Sequence, residues 1–247
     1  DFLRNSNDLN DSNDSNDSND LNKMNYLKPL HKALKAHANP IKANQMAKYM
    51  RNLFDFYGIN APVRKEILKG FFKTQGLPER KDLQSVIETL WSYDQREYQH
   101  VALEILMKYK KKWEKDDIKW IEQLIVKKSW WDTVDMLAVN TAGSYFLLYP
   151  KQIPVVTQKW IASPNMWLNR TAILFQLKYK EKTDLPLLLS YIDQHKDSKE
   201  FFHQKAIGWA LREYSKRDPN TVIAFVQSTD LAPLSKREAL KWIAKNS

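Results

Sequence analysis

Trp131 and Asp135 stand four residues apart in Ser129-Trp130-Trp131-Asp132-Thr133-Val134-Asp135, which places them on one helical face, a turn from each other. An aromatic plate beside a carboxylate is a pair suited to a cation, because the ring face and the ionised oxygens both attract positive charge. The same spacing also suits the edge of a core with Asp135 paired to a lysine, and spacing alone favours that structural reading. Arg170, in Trp167-Leu168-Asn169-Arg170-Thr171, falls in the corresponding place of a later segment. Trp209 and Arg212 are three apart and share a face, and Lys48-Tyr49-Met50-Arg51 sets an aromatic among cations. The donor fork of arginine fits a phosphate, and Trp and Tyr can lie against sugars and bases. A groove lined by Tyr49, Trp131, Arg170, Trp209 and Arg212 would seat DNA. Each of these is also compatible with ordinary packing, Trp209 above all.

Other chemistries lack their residues. The chain has no cysteine, which excludes disulfides, thiolate catalysis and cysteine-ligated metal. His31, His37, His100, His195 and His203 are scattered without ligand spacing, and neither a phosphate-cradling glycine loop nor a dinucleotide fingerprint occurs. No metal and no cofactor are expected. No apolar stretch reaches bilayer length and no signal peptide is recognisable, so a cytoplasmic protein without a membrane partner is expected.

The elements that must position these residues are helices. Only five glycines occur in 247 residues, and the Leu, Lys, Glu, Gln and Ala runs favour helix. Asn39-Pro40, Ser163-Pro164 and Asp218-Pro219 each put a capping side chain before a first-turn proline. Ser92-x-x-Gln95, Ser129-x-x-Asp132 and Ser235-x-x-Glu238 fit a capping box. The segments that start at His100, Thr133, Arg170 and Lys205 begin 33, 37 and 35 residues apart, each near a helix start with another helix before it. That period predicts an all-α chain, an α-solenoid of HEAT-like helix-pair repeats with a concave basic groove.

Charge agrees with a polyanion partner. Residues 1–22 carry six aspartates and one arginine, a net of −5, so the rest carries +15 of the formal +10. Residues 1–22, with their Ser-Asn-Asp triplets, are expected to be a disordered tail or leader, with Met24 a natural start and residues 23–247 a single domain. A body this basic attracts nucleic acid.

Gly58-Ile59-Asn60-Ala61-Pro62-Val63-Arg64, the Trp-Trp-Asp-x-x-Asp element at 130–135, Trp167-Leu168-Asn169-Arg170-Thr171-Ala172-Ile173 and the segment carrying Trp209 together carry a family likeness. Over roughly residues 24–245 the chain resembles the AlkD-like DNA alkylation repair family, alkylpurine DNA glycosylases built of HEAT-like repeats. The resemblance implies that Asp135 is the catalytic carboxylate, that Trp131 and Trp209 are the paired tryptophans at the lesion, and that Tyr49 closes the site. It implies that Arg170 lies on the DNA backbone; Arg212, Arg51 and Lys48 are further candidates there. The implied activity is monofunctional hydrolysis of the N-glycosidic bond of N3- or N7-alkylated purines in double-stranded DNA, by a monomer that is nucleoid-associated when bound. A non-catalytic DNA-binding module and a protein-interaction scaffold are the alternatives.

Overall fold

The computed structural model describes residues 25–246, so the acidic segment 1–22 lies outside the described residues. Among the described residues the chain is helical throughout, with one isolated bridge, Asp55 to Gln95, in place of any sheet. The all-α expectation is borne out. Contacts divide the chain between Ile105 and Leu106 into two compact units.

The first unit holds α1 (residues 25–36), α2 (Pro40–Tyr49), α3 (Ala61–Gln75), α4 (Leu83–Ser92) and α5 (Arg96–Leu106), which ends at the boundary. Asn39 caps α2 by accepting from Lys42 N at 3.0 Å, ahead of Pro40, and Asn60 caps α3 through Val63 N. Between them Gly58 has φ +85°, and a Cβ there would stand 2.2 Å from the Asn39 carbonyl oxygen, so only glycine lets the loop pass α2. Buried Glu97 of α5 holds that loop by accepting from the amides of Tyr57, Gly58 and Ile59 at 2.9–3.0 Å. Helix α2 buries no residue of its own.

The second unit holds α6 (Asp117–Val126), α7 (Trp131–Met136), α8 (Gly143–Leu148), α9 (Ile153–Ile161), α10 (Met166–Leu174), α11 (Leu185–His195), α12 (Phe201–Ser215), α13 (Pro219–Ser228), α14 (Pro233–Leu240) and α15 (Ile243–Asn246). Helices α7 and α8 are one continuous rod whose middle, Leu137–Ala142, is π-wound and wholly buried. Packing runs from α7 to α10, α10 to α12 and α12 to α14, so the second helices of successive pairs form one layer. Its core includes Tyr145, Phe146, Trp160, Phe175 and Tyr191.

The four repeat segments fall in α5, α7, α10 and α12, as their spacing predicts. Three of the four are preceded by a residue with a shared task. Gln99 directs its amide at the carbonyls of Leu90, Trp91 and Tyr93, Asn169 at those of Trp160, Ile161 and Ser163, and Gln204 at that of Ser198. These carbonyls lie at or just beyond the ends of the preceding helices, where intrahelical partners run out. At the corresponding place before α7's segment stands Asp132, which has no amide to give. Ser129 takes over part of the task, donating from Oγ to Ile125 O at 2.6 Å.

That bond corrects one capping expectation. The N-cap of α7 is Trp130, with no side-chain cap, because the Ser129 hydroxyl is turned back onto α6. Ser92 likewise closes α4, bonded to Thr89 O, and Ser235 lies inside α14, bonded to Gln204 O. Helix α10 starts two residues later than Ser163-Pro164 implies: Asn165 is its cap, accepting from Trp167 N, and Ser163 accepts from Asn165 N. Asp218 caps α13 as expected, through Thr221 N at 3.0 Å.

Candidate functional site

Aligned on the repeat, Asp135 occupies the position of Ala102, Ala172 and Ile207, all of them buried core residues. A carboxylate at a core position of a repeat is costly unless it is paired. Its partner is Arg170 on α10, not a lysine: Nε donates to Oδ1 at 2.7 Å and Nη2 to Oδ2 at 2.8 Å, a fork on both oxygens. The side chains are 15% and 5% exposed. The remaining terminal nitrogen, Nη1, donates to the Phe202 carbonyl of α12 at 2.6 Å. The expectation for Arg170 was a phosphate contact; the structure turns its fork inward.

Burial pushes the Asp135 carboxyl above the usual aspartate range, Arg170 pulls it back down, and nearby Asp132 raises it further. Burial wins, because a single cation is set against desolvation and a like charge. His203, next to Phe202, is held neutral, its pKa down to about 4, by burial and by the His195 ring 4.6 Å away. Asp135 is therefore an acceptor poised near the surface, with its aim fixed by one guanidinium and one turn of helix separating it from half-buried Trp131.

Trp209 is half-buried on α12, seven residues after Phe202 and so on the same face. Arg212, one turn on, donates from Nη1 to Glu238 Oε2 at 2.7 Å, and Lys205 reaches Glu238 Oε1 at 3.0 Å. Gly208 permits this meeting of α12 and α14, since a Cβ there would lie 2.5 Å from Glu238 Cβ. Lys205 foremost, with Arg212, pulls the Glu238 carboxyl below its ordinary range against the cost of burial.

Lys48, Tyr49 and Arg51 belong to the first unit. Tyr49 ends α2 with 73% of its surface exposed, and Arg51 follows in the left-handed region at φ 58°. Tyr49 borders a cavity of about 340 Å³ that is also lined by Met46, Met50, Phe56 and Arg64.

Sequence reasoning did not assign a role to three aromatics beside the carboxylate. Trp130, Trp167 and Phe202 recur at the repeat offsets of 37 and 35 residues and meet as a ladder. Ring centroids lie 5.8 Å apart for Trp130–Trp167, 5.0 Å for Trp167–Phe202 and 5.1 Å for Trp130–Phe202. Extending the four-residue repeat segments three residues toward the N-terminus would have found them. Among the described residues no group of three or more His, Asp or Glu converges in a way that could hold a metal ion, and no helix is long and apolar enough to cross a membrane.

A family model described as DNA alkylation repair enzyme matches residues 30–243. A solved structure described as a predicted DNA alkylation repair enzyme from Enterococcus faecalis is 34% identical, covering 85% of this chain and 98% of that one, with a TM-score of 0.78. No curated protein matches.

Proposed function

The chain belongs to the DNA alkylation repair enzyme family, and from that premise we propose that it is a monofunctional DNA glycosylase releasing cationic N3- or N7-alkylated purines from duplex DNA. The observation that carries this reading is Asp135: a carboxylate substituted into a core position of the repeat, forked by Arg170 and still 15% exposed. Burial opposes its charge, which suits a group whose charge serves a reaction better than a group that serves only the fold.

Alkylation at N3 or N7 leaves the purine positively charged. When the bond from C1′ to the base nitrogen breaks, its electron pair goes to the base, which departs neutral and needs no proton. One carboxylate then suffices, in contrast to the paired acids of most sugar hydrolases. Positive charge moves to the sugar, and ionised Asp135 stabilises it and orients the water whose oxygen bonds to C1′. The water proton passes to Asp135 and on to solvent, leaving an abasic sugar and a free base. The faces of Trp131 and Trp209 serve the cationic nucleotide. Arg170 positions the carboxylate. Arg212 serves the DNA backbone from this unit; Lys48 and Arg51 serve it from the first, where Tyr49 meets the lesioned strand.

The test is Asp135→Asn on duplex DNA carrying 7-methylguanine or 3-methyladenine, with released bases resolved by chromatography. The expected result is release slowed by about 10²–10³-fold with DNA binding retained or tightened. Full activity in this variant removes Asp135 from the reaction and leaves a DNA-binding module.

A further inference from the structure

We propose that Phe202 is a positioning residue for base excision, locked by Trp130 and Trp167 and acting on Asp135 through Arg170. The proposal rests on the reading of Asp135 given above. The Arg170 guanidinium is held on three sides. Asp135 takes Nε and Nη2, the Phe202 carbonyl takes Nη1 at 2.6 Å, and the Phe202 ring centroid lies 5.8 Å from the guanidinium carbon. Two of these three restraints come from one residue.

The place of Phe202 is in turn set by the ladder. The Trp130 ring meets it at 72°, edge to face, and the Trp167 ring at 45°, geometries that fix a ring's tilt as well as its depth. The three aromatics come from the starts of α7, α10 and α12, the helices that carry Asp135, Arg170 and Trp209. Side chains of the ladder therefore tie the register of the three helices to the direction in which one fork points. Arginine's planar fork binds both carboxylate oxygens only while its plane is held. If it rotates about its stem, Asp135 keeps one bond instead of two and loses its aim.

The charged and titratable groups around Asp135 are few. Arg170 faces it from α10, Asp132 lies on its own helix, and on α12 His203, beside Phe202 in the chain, is kept neutral by burial. Arg170 alone holds the carboxyl down against burial. Loosening Phe202 while keeping water out must then raise the pH at which Asp135 takes a proton. Packing without positioning would change the melting temperature and leave that pH where it was.

The experiment compares Phe202→Leu, which keeps apolar bulk, with Phe202→Tyr, which keeps the ring. It reads single-turnover release of 7-methylguanine across pH, together with DNA binding and thermal melting. For Phe202→Leu the expected results are a rate about tenfold lower, an acid limb moved upward by about half a pH unit or more, and binding within about twofold. Phe202→Tyr restores rate and limb. Trp167→Phe, milder for the fold, moves both in the same direction by less and decides the matter if Phe202→Leu does not fold. An unmoved acid limb in the folded variants overturns the proposal, and so does a limb moved downward, which would make the ring a water shield only. Asp135→Asn, assayed in parallel, separates the two levels: activity retained there sinks the reading of Asp135 itself. A dead Asp135→Asn beside an unaltered Phe202→Leu sinks only the positioning role.

Discussion

Two carboxylates in the second unit are bound by arginine at the same distance, 2.7 Å, and titrate in opposite directions. Glu238 receives Lys205 on one oxygen and Arg212 on the other, so attraction exceeds the cost of burial. Asp135 receives one arginine and has Asp132 as a like-charged neighbour, so burial exceeds attraction. The first arrangement ties α12 to α14 where Gly208 brings them close. The second keeps a charge where the fold would do better with the alanine that two other repeats use. Distance alone does not distinguish a structural ion pair from a functional one. The balance of charge around it does.

The largest expected effects separate the two pairs by what fails. Asp135→Asn costs about 10²–10³-fold in base release, and in stability the relief of a buried carboxylate is offset by leaving the 5% exposed Arg170 without its anion. Glu238→Gln leaves Lys205 and Arg212, 35% and 26% exposed, without their shared anion and costs about 1–3 kcal/mol of folding stability, while folded protein retains base release within a few-fold. Denaturant melts and single-turnover assays on both variants check this. A swap of the two outcomes would reverse the assignment of roles.

Next in size is Arg170→Lys. Lysine keeps the charge and loses the planar fork, so base release falls by about tenfold, and the melting temperature drops by a few degrees as the Phe202 carbonyl loses its donor. A lysine variant with parental activity would mean that charge without aim is enough at Asp135.

The contrast also orders the pH response. The folded pKa of Asp135 is raised, so its ionised form costs stability at neutral pH, and protonation on acidification relieves that cost. The folded pKa of Glu238 is lowered, so its contribution is fully present above the unfolded glutamate value and is lost only as pH falls through the lower folded one. On acidification activity must fall first, above the ordinary aspartate range, while the α12–α14 tie persists to below the ordinary glutamate range. Circular dichroism alongside base release over the same pH series checks the order. Coincident loss of both would show a site that titrates with the fold.

Much of this was legible in the residues because it is periodic. The offsets of 33, 37 and 35 residues placed four segments on the right helices, and Asn39 and Asp218, each followed by proline, marked true helix starts. Failures came where a side chain had two available partners. Ser129, Ser92 and Ser235 match a capping pattern, yet each bonds a carbonyl of its own or a neighbouring helix, because a hydroxyl donates as readily as it accepts. Arg170 is a different case. Its type suggests a phosphate, and only packing reveals that its fork is turned onto Asp135 and Phe202. The aromatic ladder was visible as a period and went unused because Trp and Phe at a helix start have no chemistry of their own to announce.

The smallest expected effect bears on which arginine meets DNA. Arg212 is 26% exposed and Arg170 5%, so the first can offer donors to a phosphate and the second has little surface to offer. Each phosphate contact contributes about 0.9 to the slope of log affinity against log salt. Arg212→Ala should therefore lower that slope by about one contact, with a similar loss on every duplex sequence, because a backbone contact reads no base. Arg170→Ala should leave the slope unchanged even as base release falls. Titrations of unmodified duplex at several salt concentrations make the comparison without any catalytic readout. A slope that drops for Arg170→Ala and holds for Arg212→Ala would exchange their roles, placing the phosphate at the buried fork and leaving Arg212 wholly to Glu238.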